Sequence, residues 1–98
     1  MPRAQVEVSA GPDHGKVWDL PADGSAKIGQ GAACEIQLAD PDVDPMHLLI
    51  GQTNNNWFIY SLSRSHFELN GEESLGTNTL ADNDVISVGG TSITFRLP

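Results

Sequence analysis

Basic residues are scarce in this sequence. Only Arg3, Lys16, Lys27, Arg64 and Arg96 are basic, against 13 acidic residues, so the formal charge is −8. The five are scattered along the chain. A nucleic-acid surface needs a clustered basic footprint, and an anionic membrane surface needs the same, so neither partner is expected. Cysteine is nearly absent. A single Cys34 cannot close an intrachain disulfide, which points to a reducing, cytoplasmic compartment. No apolar run reaches the roughly 18 residues of a membrane span, and the amino terminus lacks a signal-peptide pattern. No nucleophile elbow, kinase signature or zinc motif occurs, so no set of residues proposes a reaction and no cofactor or metal is expected.

A sustained 3.6-residue period is missing too, and that excludes a helical fold. What is there instead is alternation broken by turn signals. Val6 and Val8 share one face of residues 5–10 and Glu7 and Ser9 the other. Residues 11–15 (Gly-Pro-Asp-His-Gly) form a turn, and residues 16–20 return with Trp18 and Leu20 on one face, making a hairpin. Further short strands are expected at 26–29, 35–38, 47–51, 57–61, 67–69, 85–88 and 91–97, with 75–80 mixed. Residues 53–56 (Thr-Asn-Asn-Asn) suit a hairpin turn, and Asn70-Gly71 is a strong one. Strands this short, separated by turns every eight to twelve residues, predict an all-β sandwich or barrel. Ninety-eight residues make one domain with its own core. The chain stops just after a strand and is expected to be part of a longer protein, such as the cytoplasmic domain of a membrane-anchored one.

The stretch from Asp40 to Ile50 anchors the functional reading. Asp40, Asp42 and Asp44 alternate with Pro41, Val43 and Pro45. Each proline fixes its own φ and pushes the preceding residue towards extended geometry, so the loop is stiff. A stiff loop feeding a core strand is a common place for a binding surface. The three aspartates resemble the start of an EF-hand calcium loop. That loop needs glycine sixth and glutamate twelfth; here those places hold Pro45 and Gly51, so a solvated acidic loop is the expectation. Cys34 reads as a packed small side chain and not as a reactive thiol. His14 and His66 have no metal-ligand spacing with each other or with Cys34. Trp18, Trp57, Phe58, Tyr60, Phe67 and Phe95 fall in strands; core is the default, and one or two facing outward would mark an interaction patch.

The ordered set of signals resembles a forkhead-associated (FHA) domain. The residues that carry the resemblance are Gly11-Pro12…Gly15, Leu20, Ile28-Gly29, Ile36-Gln37-Leu38, Asp40…Val43, His47…Ile50, Trp57…Tyr60, Leu62, Asn70-Gly71, Leu80, Asn83-Asp84-Val85-Ile86, Val88-Gly89 and Ile93-Thr94-Phe95. The resemblance implies a sandwich of about eleven mostly antiparallel strands whose loops at one end bind phosphothreonine peptides. It also implies where the phosphate chemistry should lie, and that chemistry is altered here. The Ile-Gly-Arg triplet reads Ile28-Gly29-Gln30. The Ser-x-x-His motif reads Asp44-Pro45-Met46-His47. The loop that carries a Ser/Thr-x-Asn element reads Ser63-Arg64-Ser65-His66.

A phosphate needs guanidinium, hydroxyl and amide donors, whereas ionised Asp44 offers acceptors and like charge. At about 4 Å, one unit-charge repulsion costs roughly 1 kcal/mol in bulk water and about 4 at an effective dielectric of 20. The expected partner-binding loops are therefore Gln30, Gly31, Asp42, Asp44, Pro45, Met46, Ser63, Arg64, Ser65 and His66, on a frame held by Gly29, His47, Asn70 and Gly71. The expected function is a non-enzymatic protein–protein interaction module that does not need phosphorylation. Divergent domains similar to this one occur in the cytoplasmic part of inner-membrane ring proteins of bacterial type III secretion systems (T3SS). Two alternatives are a phosphothreonine reader using Ser63, Arg64 and Ser65, and a metal- or ligand-binding regulatory domain using the acidic loop.

Overall fold

The alternation at the start of the chain becomes its first strand. In the computed structural model, which describes residues 4–20, 24–53, 56–62, 66–74 and 76–97, β1 (Gln5–Ala10) buries Val6 and Val8 and turns Glu7 towards solvent. It pairs antiparallel with β2 (Val17–Asp19), closing the expected hairpin. There follow β3 (Gly24–Gly29), β4 (Ile36–Gln37), β5 (Leu48–Thr53), β6 (Asn56–Ser61), β7 (Phe67–Leu69), β8 (Glu72–Ser74), β9 (Thr77–Leu80), β10 (Val85–Val88) and β11 (Thr91–Arg96). Helix is absent among the described residues.

The strands make two sheets. One has the order β2-β1-β11-β10-β7-β8 and the other β4-β3-β5-β6-β9. The β3–β4 pairing is parallel, with Ile28 opposite Ile36; the other described pairings are antiparallel. The inward faces supply one core, which includes Val6, Ile28, Ile50, Ile59, Ile86, Ile93 and Phe95. Trp57 of the five-stranded sheet meets Phe95 of the six-stranded sheet with ring centroids 5.6 Å apart and planes tilted by 58°, a favoured aromatic geometry.

Several strand ends differ from expectation by one or two residues, and three elements differ in kind. β8 has the sequence Glu-Glu-Ser and no apolar alternation, so periodicity does not mark it. It forms because Asn70 and Gly71 take φ values of 54° and 85°, the left-handed pair of a tight hairpin turn, and fold the chain back onto β7. An edge strand needs no buried face on its outer side. β4 has two residues where four were expected, and β9 begins at Thr77 within the mixed segment. The turn at Asn54 and Asn55 lies outside the described residues, between paired Thr53 and Asn56.

Candidate functional site

The strand directions bring residues 11–16, 30–35, 38–47, Leu62, His66 and residues 89–90 to one end of the sandwich. Ser63, Arg64 and Ser65 lie outside the described residues. The described loops are tied to one another by backbone and side-chain hydrogen bonds.

The β3–β4 loop and the acidic β4–β5 loop lie side by side. The Gln30 amide donates to the Asp44 carbonyl at 3.0 Å, and the Gly31 amide to the Pro45 carbonyl at 3.0 Å. This closeness explains Gly29: a Cβ there would run into the Pro45 carbonyl oxygen. Cys34 is buried, and its Sγ donates to the Pro45 carbonyl at 3.1 Å. Burial, and then the charge of neighbouring Glu35, push its thiol above the ordinary value, so it stays protonated at neutral pH. The Gln30 side chain turns back to the Asp40 carbonyl at 3.3 Å.

His47 ties a third loop to these two. Its Nδ1 accepts the Asp44 amide at 3.0 Å, so its Nε2 carries the proton and donates to the His66 carbonyl at 2.7 Å. The His66 ring in turn meets Glu73 of β8 at 2.8 Å. His47 is buried, whereas Gln30, Asp42, Asp44, Pro45, Met46 and His66 are exposed. The surface that this end offers therefore combines acidic and apolar groups, with Met46 among the exposed large hydrophobics.

Asp40 departs from the expectation of a solvated acidic loop. It is 2% exposed and turned inward. Its Oδ1 accepts the Asp42 amide at 2.9 Å; its Oδ2 accepts the Gly90 amide at 2.7 Å and the Thr91 hydroxyl at 2.9 Å. The Asp42 amide, with help from Thr91 and Gly90, holds its carboxyl below the usual carboxylate range although burial opposes this. The carboxylate oxygens that an EF-hand-like reading would offer to calcium thus accept protein donors instead. Asp40 clamps the loop of one sheet to the β10–β11 turn of the other. Asp13 does similar work from the β1–β2 turn: it is buried, accepts the Ala39 amide at 2.7 Å and pairs with Lys16 at 3.1 Å. Sequence reasoning missed both roles. The Asp-Pro-Asp spacing is the one available signal, since aspartate commonly accepts the amide two residues on.

Asn70 and Gly71 sit at the opposite end of the sandwich. The Asn70 side chain accepts the Val85 amide at 2.9 Å and donates to Asp84 at 3.0 Å, so it fastens β7 to the start of β10 and is remote from the loops above.

The family described as the inner membrane component of T3SS, cytoplasmic domain, matches residues 7–98. The chain belongs to this family. No curated protein matches it significantly. Among solved structures it is similar to an FHA domain studied for phosphothreonine-dependent interactions, with 27% identity, a TM-score of 0.86 and coverage of 97% of this chain and 96% of that one. It is similar to the FHA domain of protein CT664 from Chlamydia trachomatis, with 21% identity, a TM-score of 0.90 and coverage of 98% of both. It is also similar to the cytoplasmic domain of the T3SS sorting platform protein PscD from P. aeruginosa, with 15% identity, a TM-score of 0.82 and coverage of 98% of this chain and 81% of that one. The fold is the FHA sandwich. Among the described residues no helix is long and apolar enough to cross a membrane.

Proposed function

We propose that this FHA domain is a non-enzymatic interaction module that holds a protein partner through the loops around Gln30, Asp42, Asp44, Pro45, Met46 and His66, without needing a phosphate. The observation that carries the reading is the state of the loop amides. Those of Gln30, Gly31, Asp42 and Asp44 all donate within the protein. An incoming phosphate would have to displace these bonds and would find glutamine and aspartate where the family resemblance implies arginine and serine. Each lost charge-assisted bond is worth roughly 1.5–3 kcal/mol. A basic or neutral partner meets no such obstacle. With a net charge of −8, its approach is steered by long-range attraction that weakens as salt rises. Family membership favours a role in assembling a secretion apparatus, as the cytoplasmic part of a longer inner-membrane protein.

One observation favours a second reading. The 27%-identical FHA domain belongs to a study of phosphothreonine-dependent interactions. If that property is shared, Ser63, Arg64 and Ser65 must supply the donors. Binding of the wild type to a degenerate phosphothreonine peptide library and to its unphosphorylated twin separates the two. The first reading predicts no preference for the phosphorylated pool. A preference that Arg64→Ala abolishes would establish the second.

A further inference from the structure

The bonds that His47 makes require a neutral ring. Its main chain is fixed on two sides. The His47 amide donates to the Ile28 carbonyl of β3 at 2.9 Å, and the Leu62 amide, just past β6, donates to the His47 carbonyl at 2.9 Å. The residue is buried. Its Nε2–H donates to the His66 carbonyl at 2.7 Å, and its Nδ1 accepts the Asp44 amide at 3.0 Å. A charged imidazole has two N–H donors and no acceptor. The Nε2 bond survives protonation. The Nδ1 bond does not, because two N–H groups would then point at each other across 3.0 Å inside the protein.

The ring cannot withdraw from that clash, since its backbone is fastened to β3 and to the end of β6 and its Nε2 stays engaged. What can move is the peptide between buried Val43 and exposed Asp44. The loop is anchored on both sides of it. Before it, the Asp40 carboxylate accepts the Gly90 amide and the Thr91 hydroxyl; after it, the Asp44 and Pro45 carbonyls accept the Gln30 and Gly31 amides. The displacement is therefore local.

The titratable groups on the surrounding elements have their own roles. The Asp40 carboxyl is held below the usual carboxylate range, so its clamp stays ionised under mild acidification. In the β3–β4 loop, the Cys34 thiol donates to the Pro45 carbonyl, and Glu35 pairs with Lys27 of β3. On the Nε2 side, the His66 ring meets Glu73 of β8. Asp42 and Asp44 carry exposed side chains on the stretch that the His47 ring holds.

We propose that His47 is a pH-sensitive latch. The neutral ring holds the peptide between Val43 and Asp44 against the core, and protonation releases it, which unties the acidic loop from the His66 loop and re-aims Asp44. Under the function proposed above, the latch regulates the same surface. The latch itself is a property of the loop and stands or falls without a partner, so its failure and that of the binding function are separate results.

Histidine ordinarily changes charge between about pH 5 and about pH 8, so nuclear magnetic resonance of the nitrogen-labelled chain across that range tests the latch. At the upper end, the His47 ring is expected to show a bare Nδ1 and a protonated Nε2. As pH falls, Nδ1 gains its proton. With the same midpoint, the Asp44 amide loses roughly tenfold or more of its exchange protection, taken relative to unstructured chain at each pH. Amides of residues 70–71, at the opposite end, keep theirs. His66→Gln removes the neighbouring ring but keeps the carbonyl that His47 uses, and is expected to leave the transition in place. The signals of the wild type decide the matter without any variant at His47, whose loss threatens the fold. A ring that becomes charged while the Asp44 amide stays protected overturns the proposal. So does a ring that stays neutral throughout the range, or a loss of protection that tracks His66 and disappears in His66→Gln.

Discussion

The two ends of the sandwich are closed by different means. At the end that gathers the candidate loops, the chain uses buried polar residues. Asp13, Asp40, His47 and Thr91 are the buried polar or charged residues among those described, and all four lie there. At the opposite end, the chain uses turn residues. Asn70 and Asn83 adopt positive φ, and exposed or half-exposed Asp82 and Asp84 accept nearby amides. The difference follows from loop length. A two-residue turn satisfies its own backbone groups. The ten-residue connection at 38–47 has no ladder to join, so its amides and carbonyls need partners brought in from elsewhere. A long loop whose Leu38, Ala39, Asp42, Val43, Asp44 and His47 amides are tied down is a rigid one, and a rigid loop suits a binding surface.

Substitutions at the two ends sharpen this contrast. The largest loss is expected for Asp40→Ala, which strands the Asp42 and Gly90 amides and the Thr91 hydroxyl inside the protein. Urea unfolding should show about 3–5 kcal/mol of destabilisation. The counterpart at the far end, Asp84→Ala, should cost only about 1 kcal/mol because water replaces its bonds. Near-equal losses would erase the distinction between the ends.

His47→Ala should follow, at about 2–3 kcal/mol, since it unties the Asp44 amide from the His66 carbonyl. Amide exchange should accelerate at residues 44–47 and leave 70–71 unchanged. Gly29→Ala, which forces a Cβ against the Pro45 carbonyl, is expected to cost about 1–3 kcal/mol. Asn70→Ala should cost about 1–2 kcal/mol, from left-handed backbone without the side-chain bonds that support it.

The pH dependence should also divide the ends. The Asp40 carboxyl titrates lower in the folded protein than in the unfolded chain. Its stabilisation is therefore complete above the unfolded value, near ~4, and is lost as pH falls through the depressed folded value. Asp40→Asn should flatten the acid limb of a stability–pH curve. A limb unchanged in that variant would show that other carboxylates set it.

Much of the fold is legible in the sequence because its strands bury alternate residues. Val6 and Val8, and Ile36 and Leu38, each declare a face. β8 is not legible that way, because Glu72, Glu73 and Ser74 offer no apolar side chain to bury; its one sign is the Asn70-Gly71 turn before it. In the candidate site, the stiffness of the Asp40–Ile50 stretch follows from its prolines, and Gly29 follows from the motif around it. The inward turn of Asp40 does not. Three aspartates at equal spacing look alike in sequence, and only the β10–β11 turn, some 50 residues further on, sets one of them apart. Long-range partners of this kind carry no local signature. The outward rings of Phe58 and Tyr60 were one of two possibilities for any strand aromatic, and the register of β6 against β5 decides between them.

The central claim is that the end loops bind without a phosphate, and the most direct test restores what the sequence has exchanged. Binding of a degenerate phosphothreonine peptide library and its unphosphorylated twin would be measured for the wild type and for the Gln30→Arg/Asp44→Ser double variant. The account predicts no preference in the wild type and a gained preference for the phosphorylated pool in the double variant. A wild type that already selects the phosphorylated pool would contradict it.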